Sequence, residues 1–278
     1  MIDGNTTLIA HIGYPTFTFK APLIYNPYFA AAGINAVVMP MGCQAQDYPD
    51  FLRAVFNLTN IGGALITMPH KVSTVALLDE VSVAVKIAGA CNAVKRDAEG
   101  RLIGDLFDGE GFVRALNTKG FALSSAAALV AGAGGAGSAI AASLAGAGIK
   151  RLVLTDTNMA STEALAARIR QHYPALDVST GSNDPAGFDL VVNATPLGMQ
   201  EGDALPVDVA RMSPHALAGE VVMRTEITPY LAAARARGCA VQTGTDMLFE
   251  QIPAYLEFFG FRSTTAAHLR SLACLPLA

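Results

Sequence analysis

Apolar residues along the chain fall into short runs separated by helix-period patterns, a rhythm that predicts an α/β fold. Residues 7–12 (TLIAHI) and 34–39 (INAVVM) read as strands on either side of a helical pattern from Pro22 to Ala32. A third run, 61–67 (IGGALIT), stops before Pro69. From about residue 125 the alternation becomes regular, with apolar runs at 126–131, 151–155, 188–193, 220–224 and 239–243. Helical patterns lie between them, clearest at 161–172 (STEALAARIRQH) and 229–237 (PYLAAARAR). Strands that alternate with helices pair in parallel through right-handed crossovers. The change of rhythm predicts a boundary near 105–120, and the tail from Met247 to Ala278 has a mainly helical pattern.

Composition narrows the class. The 278 residues suffice for one large or two medium domains, and 52% apolar with 15% charged residues is globular rather than disordered. A net charge of −4 and a pI near 5.7 give no electrostatic case for nucleic acid. Cys43, Cys91, Cys239 and Cys274 are scattered without a CxxC, which predicts a reducing cytoplasm, no disulfides and no thiolate metal site. His11, His70, His172, His215 and His268 form no HxH or HxxxH pattern, so no metal is expected. The opening MIDGNTTLIAHIGYP lacks a basic n-region, and no signal peptide is expected. Residues 121–149 carry no charge, yet six glycines and only seven Leu, Ile, Val or Phe favour a buried strand, turn and helix over a membrane span.

The sharpest general motif is Gly132-Ala133-Gly134-Gly135-Ala136-Gly137, directly after the strand-like ALVA and opening an Ala-rich helix. It meets the pattern G-x-G-x-x-G in the strand–turn–helix setting that a dinucleotide pyrophosphate requires. The same glycines also serve plain helix–strand packing. Asp156 ends the next expected strand (RLVLTD), 24 positions after Gly132, where an acidic residue accepts bonds from the adenosine ribose. A carboxylate there repels a 2′-phosphate, so NAD is expected over NADP, with NADP possible; an ordinary strand-end cap is the alternative.

The other motifs gain meaning from their order: Gly13-Tyr14-Pro15; Thr67-Met68-Pro69-His70-Lys71; Gly89-Ala90-Cys91-Asn92-Ala93-Val94; Asp108-Gly109-Glu110-Gly111; the glycine loop; Asn193-Ala194-Thr195-Pro196-Leu197-Gly198-Met199; Thr228-Pro229; and Gly244-Thr245-Asp246-Met247 through Gln251. In this order and spacing the chain resembles the shikimate dehydrogenase family from end to end. The resemblance implies an N-terminal substrate domain (1–110), a Rossmann-like doubly wound parallel sheet (111–246) and C-terminal helices (247–278) that return to the first domain, with the active site in the cleft between domains. It implies Lys71 and Asp108 as the catalytic pair. Oxidising a secondary alcohol sends hydride to nicotinamide while the hydroxyl proton leaves. A lysine can take or relay that proton only if partial desolvation lowers its pKa, and an adjacent carboxylate holds the amine in place although its charge opposes that lowering. It also implies Thr67, Asn92 and Gln251 at the substrate. On the cofactor side it implies Gly132, Gly134, Gly135, Ala136, Gly137, Asp156, Asn193, Thr195, Pro196, Gly244 and Met247.

Departures from the family pattern are concentrated in the substrate pocket. The family's first motif carries two serines that hold the shikimate carboxylate; here Phe19 and Ala21 take their places, with Thr18 between Phe17 and Phe19. Leu65 replaces an asparagine, and Met223 a tyrosine. After the second strand of the nucleotide domain, Thr155-Asp156-Thr157 stands where many members read asparagine–arginine–threonine. The expectation is a soluble NAD(P)-dependent oxidoreductase, monomeric or homodimeric, acting on a small shikimate- or quinate-like molecule. A different, less acidic cyclic alcohol, or a regulatory relative that binds NAD without turnover, remain the alternatives. Unless Thr16, Thr18 or Lys20 replaces the lost donors, shikimate itself should bind poorly.

Overall fold

The computed structural model describes residues 2–275, and the chain separates into two units. The first contains the residues up to Val85, Gly89–Phe107 and those from Ile252 onward; the second contains Lys86–Ala88 and Asp108–Gln251.

In the first unit, β1 (Thr7–Gly13) pairs in parallel with β2 (Ala36–Gly42) and β3 (Ile61–Ile66). The sheet continues through β5 (Ala93–Arg96), antiparallel to both β3 and β6 (Leu102–Asp105), and ends at β4 (Glu80–Val81), giving the order β2-β1-β3-β5-β6-β4. Helical crossovers set the parallel half, whereas a five-residue loop between β5 and β6 permits only a hairpin. Asp97 organises that loop, its carboxylate accepting from Glu99 N (3.1 Å) and Arg101 N (2.8 Å). The apolar pattern of the sequence does not single out β4, β5 and β6, which emerge in the structure.

Helix α1 (Pro22–Ala32) starts with proline in its first turn and stops at Gly33, whose φ of 68° is left-handed. It buries Ile24, Tyr25, Tyr28 and Phe29. Asn26 clips it to the edge strand β2 by donating to Val38 O (3.1 Å) and accepting from Val38 N (2.7 Å). In the same unit α9 (Ala266–Leu272) packs on α1, and the Tyr28 hydroxyl donates to Arg262 O at 2.6 Å.

The second unit is a fully parallel sheet in the order β12-β11-β10-β7-β8-β9. Its strands are β7 (Ala127–Ala131), β8 (Arg151–Thr155), β9 (Asp177–Thr180), β10 (Leu190–Asn193), β11 (Leu217–Glu220) and β12 (Ala240–Gln242). This is the doubly wound arrangement, with the order reversing between β7 and β10. Alternate residues serve opposite cores: Val130, Leu152, Leu154 and Val192 join one with Phe112, Ile140 and Leu165, while Leu129, Val153 and Val191 join another with Met212, Tyr230 and Leu231. The first core is covered by α4 (Asp108–Thr118), α5 (Gly135–Gly146) and α6 (Met159–His172), the second by α7 (Pro229–Ala236). The apolar run at 220–224 is not the strand it resembles: β11 ends at Glu220, whose carboxylate takes the amides of Val221 (2.8 Å) and Val222 (3.0 Å) and turns the chain out of the sheet. No helix among the described residues is long and apolar enough to cross a membrane.

Asn26→Ala would leave the Val38 amide and carbonyl of an edge strand unpaired. The expected loss is about 1–3 kcal/mol of first-unit stability, read as a lower denaturant midpoint; an unchanged midpoint would show that water replaces the clip without cost.

Candidate active site

In the second unit, the ends of β7 and β10 meet backbone to backbone. A Cβ on Gly132, whose φ is 104°, would lie 2.6 Å from Ala194 O, and one on Gly137 would lie 1.9 Å from Gly132 O. Those two glycines are demanded by packing. At Gly134 and Gly135 a Cβ would meet nothing within 4 Å. They sit at the start of α5, where no side chain caps the free amides, and Ala136 follows them in the first turn. The result is an open cradle suited to a pyrophosphate, which fits a dinucleotide. Asp156 closes its far side: the carboxylate accepts from Ala133 N (2.7 Å), Asn158 N (2.8 Å) and Thr157 Oγ1 (3.3 Å). Those bonds hold it below the usual carboxylate range.

Asn193 ends β10 with no exposed surface. Its Oδ1 accepts from Thr195 N (3.1 Å) and Thr195 Oγ1 (2.6 Å), and its Nδ2 donates to Leu197 O (2.9 Å) and to Glu220. Pro196 lies exposed on the loop so formed. Gly244 opens α8 (Gly244–Phe258) against the chain leaving β11; a Cβ there would lie 2.7 Å from both Val222 O and the Met223 side chain. Met247 sits in the hydrophobic core with Phe112 and Leu116, so its side chain supports the fold of this unit.

Asp108 begins α4, half-buried, and the glycines after it explain its placement. A Cβ on Gly109 would lie 2.0 Å from Ala139 O of α5, and one on Gly111 2.6 Å from Met247 O and from Gln251 Cβ. The first turn of α4 is therefore pressed onto two other helices, which brings Gln251 beside the turn that carries Asp108. Gln251 is buried, and its Oε1 has no hydrogen-bond partner.

In the first unit, the carboxyl ends of β1 and β3 form a second constellation. Tyr14 N donates to Met68 O (2.9 Å) and Thr67 N to Ile12 O (2.9 Å). A Cβ on Gly13 would lie 2.4 Å from Thr67 Cγ2 and 3.1 Å from Phe19 Cζ. Phe19 stacks on His11 with ring centroids 4.0 Å apart, and Leu65, buried, is the β3 register partner of His11. Burial, then the charge of Lys71, depress the His11 pKa to about 4, so the ring is neutral at pH 7. Its Nδ1 has no partner. Lys71 follows the Thr67 turn, and its carbonyl accepts from Cys91 N (2.8 Å). The adjacent Asn92, 1% exposed, accepts from Phe107 N through Oδ1 (3.0 Å), while its Nδ2 is buried and unpartnered.

Among the expected substrate residues, Thr67 and Phe19 thus stand together with His11 near Lys71. Thr18 is exposed and spends its hydroxyl on Pro15 O (3.1 Å), and Ala21 is half-buried just before α1. Met223, in the second unit, is 39% exposed. His11 and Glu220 escaped the sequence reading, although each was marked by a polar residue lodged in or ending an apolar run. Among the described residues, no group of three or more His, Cys, Asp or Glu is placed to hold a metal.

These features have counterparts in known proteins. The profile of the shikimate dehydrogenase substrate binding domain matches residues 12–94. A shikimate dehydrogenase (NADP(+)) from Rubrobacter xylanophilus is 34% identical over 277 residues, covering 98% of this chain and 97% of the relative. Among solved structures, shikimate 5-dehydrogenase from Listeria monocytogenes in complex with shikimate and NAD superposes with a TM-score of 0.91 at 25% identity, over 97% of each chain. The ligand-free 5-ketofructose reductase of Gluconobacter sp. strain CHM43 gives 0.88 at 25% identity, over 97% of this chain and 98% of that one. With sequence and fold both matched over nearly its whole length, this chain belongs to the shikimate dehydrogenase family of NAD(P)-dependent oxidoreductases.

Proposed function

We propose that this chain reversibly transfers hydride between NAD(H) and a ring hydroxyl or ketone of a polyhydroxylated compound related to shikimate or quinate, in a pocket that no longer grips a carboxylate in the family's way. The observation that carries the substrate half is the Phe19 ring stacked on neutral His11, at the position matched to the family's first anchoring serine. An aromatic face offers a carboxylate no donor, and an anion moved out of water without donors is strongly disfavoured. The likeness to a reductase of 5-ketofructose, a sugar without a carboxylate, favours as a second reading a neutral polyol or its ketone.

When bound, the nicotinamide supplies the hydride acceptor or donor. The chain's own residues supply the remainder. Lys71 takes the hydroxyl proton on its amine lone pair during oxidation and returns it during reduction, and Asp108 is the carboxylate that matches the family's second catalytic position. Asn92 Nδ2, a buried donor without a partner, donates to a substrate oxygen, and Gln251 Oε1, a buried acceptor without a partner, accepts from a substrate hydroxyl. An unpaired buried donor and an unpaired buried acceptor are each costly alone, and a hydroxyl group has the chemistry to complete either. Gly132, Gly134, Gly135 and Gly137 cradle the pyrophosphate, and Asp156 faces the adenosine ribose. Its charge opposes a 2′-phosphate, so this reading favours NAD although curated relatives carry NADP(+) in their names.

Lys71→Ala is expected to lower kcat by about 10²–10⁴-fold while NAD still raises the melting temperature; intact turnover with a panel of cyclic hydroxy acids and polyols would refute the role given to the amine. Asp156→Ser should shift the kcat/KM preference from NAD towards NADP by about tenfold or more, and an unchanged ratio would remove the basis for NAD. Replacing Phe19 and Ala21 together by serine should raise kcat/KM on shikimate by about tenfold or more, with no gain counting against the lost-anchor account.

A further inference from the structure

The second unit buries one carboxylate completely and gives it no cation. Glu220 has no exposed surface. Its Oε1 accepts from Asn193 Nδ2 (3.0 Å), Val221 N (2.8 Å) and Val222 N (3.0 Å), and its Oε2 from Asn193 Nδ2 (3.1 Å) and Thr228 Oγ1 (2.8 Å). No ion pair to Glu220 occurs among the described residues.

The donor set is built for the ionised form. Thr228 Oγ1 accepts from Leu231 N (3.3 Å), which leaves its proton for Glu220. The Asn193 amide cannot turn over, because its Oδ1 is held by Thr195 N and Oγ1. Burial pushes the carboxyl pKa up, while every group in contact with its oxygens is a donor and resists protonation. A glutamine or asparagine would cap the two amides at a smaller desolvation cost, so capping alone does not account for a charge here.

Its position in the sheet supplies an account. Glu220 ends β11 in register with Asn193 at the end of β10, and the residue after Asn193 touches the first glycine of the cradle. In a doubly wound sheet the dinucleotide lies over the carboxyl ends of the strands, with its pyrophosphate at the first glycine turn. Asp156, at the end of β8, marks the adenosine side. The opposite side, over β10 and β11, faces the nicotinamide half. The oxidised nicotinamide ring carries a positive charge that the reduced ring lacks.

We propose that Glu220 is a positioning residue that acts by charge: its buried carboxylate favours the cationic, oxidised nicotinamide over the neutral, reduced one. The inference rests on nicotinamide binding by the second unit and is independent of which substrate the first unit takes. At an effective dielectric of about 20, one such charge within about 10 Å of the ring changes affinity by about tenfold or more.

The test uses the full-length protein and calorimetric Kd values for NAD+, NADH and benzamide adenine dinucleotide, whose ring has the shape of oxidised nicotinamide without its charge (or their 2′-phosphates if NADP+ binds better). The wild type should bind NAD+ about tenfold more tightly than the benzamide analogue, and Glu220→Gln should close that gap while moving the NADH Kd by less than about threefold; Glu220→Asp should restore it. A merely structural role weakens all three ligands alike. Equal wild-type affinity for NAD+ and the analogue would overturn the proposal even if Glu220→Gln failed to fold, as would a uniform loss in that variant. Failure of the wild type to bind any dinucleotide would instead overturn the function proposed above, and this inference with it.

Discussion

A Cβ on residue 137 would lie 1.9 Å from Gly132 O, and one on residue 132 would lie 2.6 Å from Ala194 O. Atoms that oppose a side chain at such distances are backbone and cannot swing aside, so no residue but glycine permits the approach. The loop after β7, the start of α5 and the loop after β10 are thereby locked together, and with them the open amides at Gly134 and Gly135. The same device sets α4, where Gly109 and Gly111 let the first turn press onto the backbones of α5 and α8. Asp108, Gln251, Asn193 and the glycine loop take their positions from contacts in which side chains have been removed.

Within that frame, environment separates three carboxylates that the sequence shows only as acidic residues. Asp156 accepts from amides of its own turn and of the glycine loop, and is held low. Glu220 is buried among neutral donors, and burial raises it. Asp108 stands half-buried in the first turn of α4. Incomplete satisfaction is equally informative. Asn92 is held through Oδ1 by Phe107 N while its Nδ2 is unpaired, and the Gln251 Oε1 is buried and unpaired, one a donor and the other an acceptor. Buried groups left so are costly unless a ligand completes them.

The regular second half of the chain was legible because each buried parallel strand is a continuous apolar run. The run at 151–155 coincides with β8, that at 126–131 exceeds β7 by one residue at its start, and that at 239–243 exceeds β12 by one residue at each end. The run at 220–224 misled because hydrophobicity does not register the turn that Glu220 imposes through its neighbours' amides. Strand β9 was invisible, since Val178 is its one fully buried residue. In the site, glycine spacing and Asp156 could be read from local pattern. His11 could not, because its significance comes from the ring of Phe19 stacked on it and from Lys71, neither adjacent in sequence.

The stack of His11 on Phe19 belongs to a constellation built separately from the glycine contacts of the second unit. Gly13, Phe19 and Thr67 pack against one another at the ends of two strands, whereas the nucleotide cradle is fixed by glycine contacts inside another unit. Residues 19, 21 and 65 lie in the first unit, apart from the backbone contacts on which the second depends. A neutral imidazole beside Lys71 is consistent with this separation: burial and the neighbouring ammonium both oppose a second positive charge. The polar capacity of that wall is thus kept as an uncharged ring nitrogen. Such a ring can form a hydrogen bond with a hydroxyl or carbonyl but brings no charge of its own.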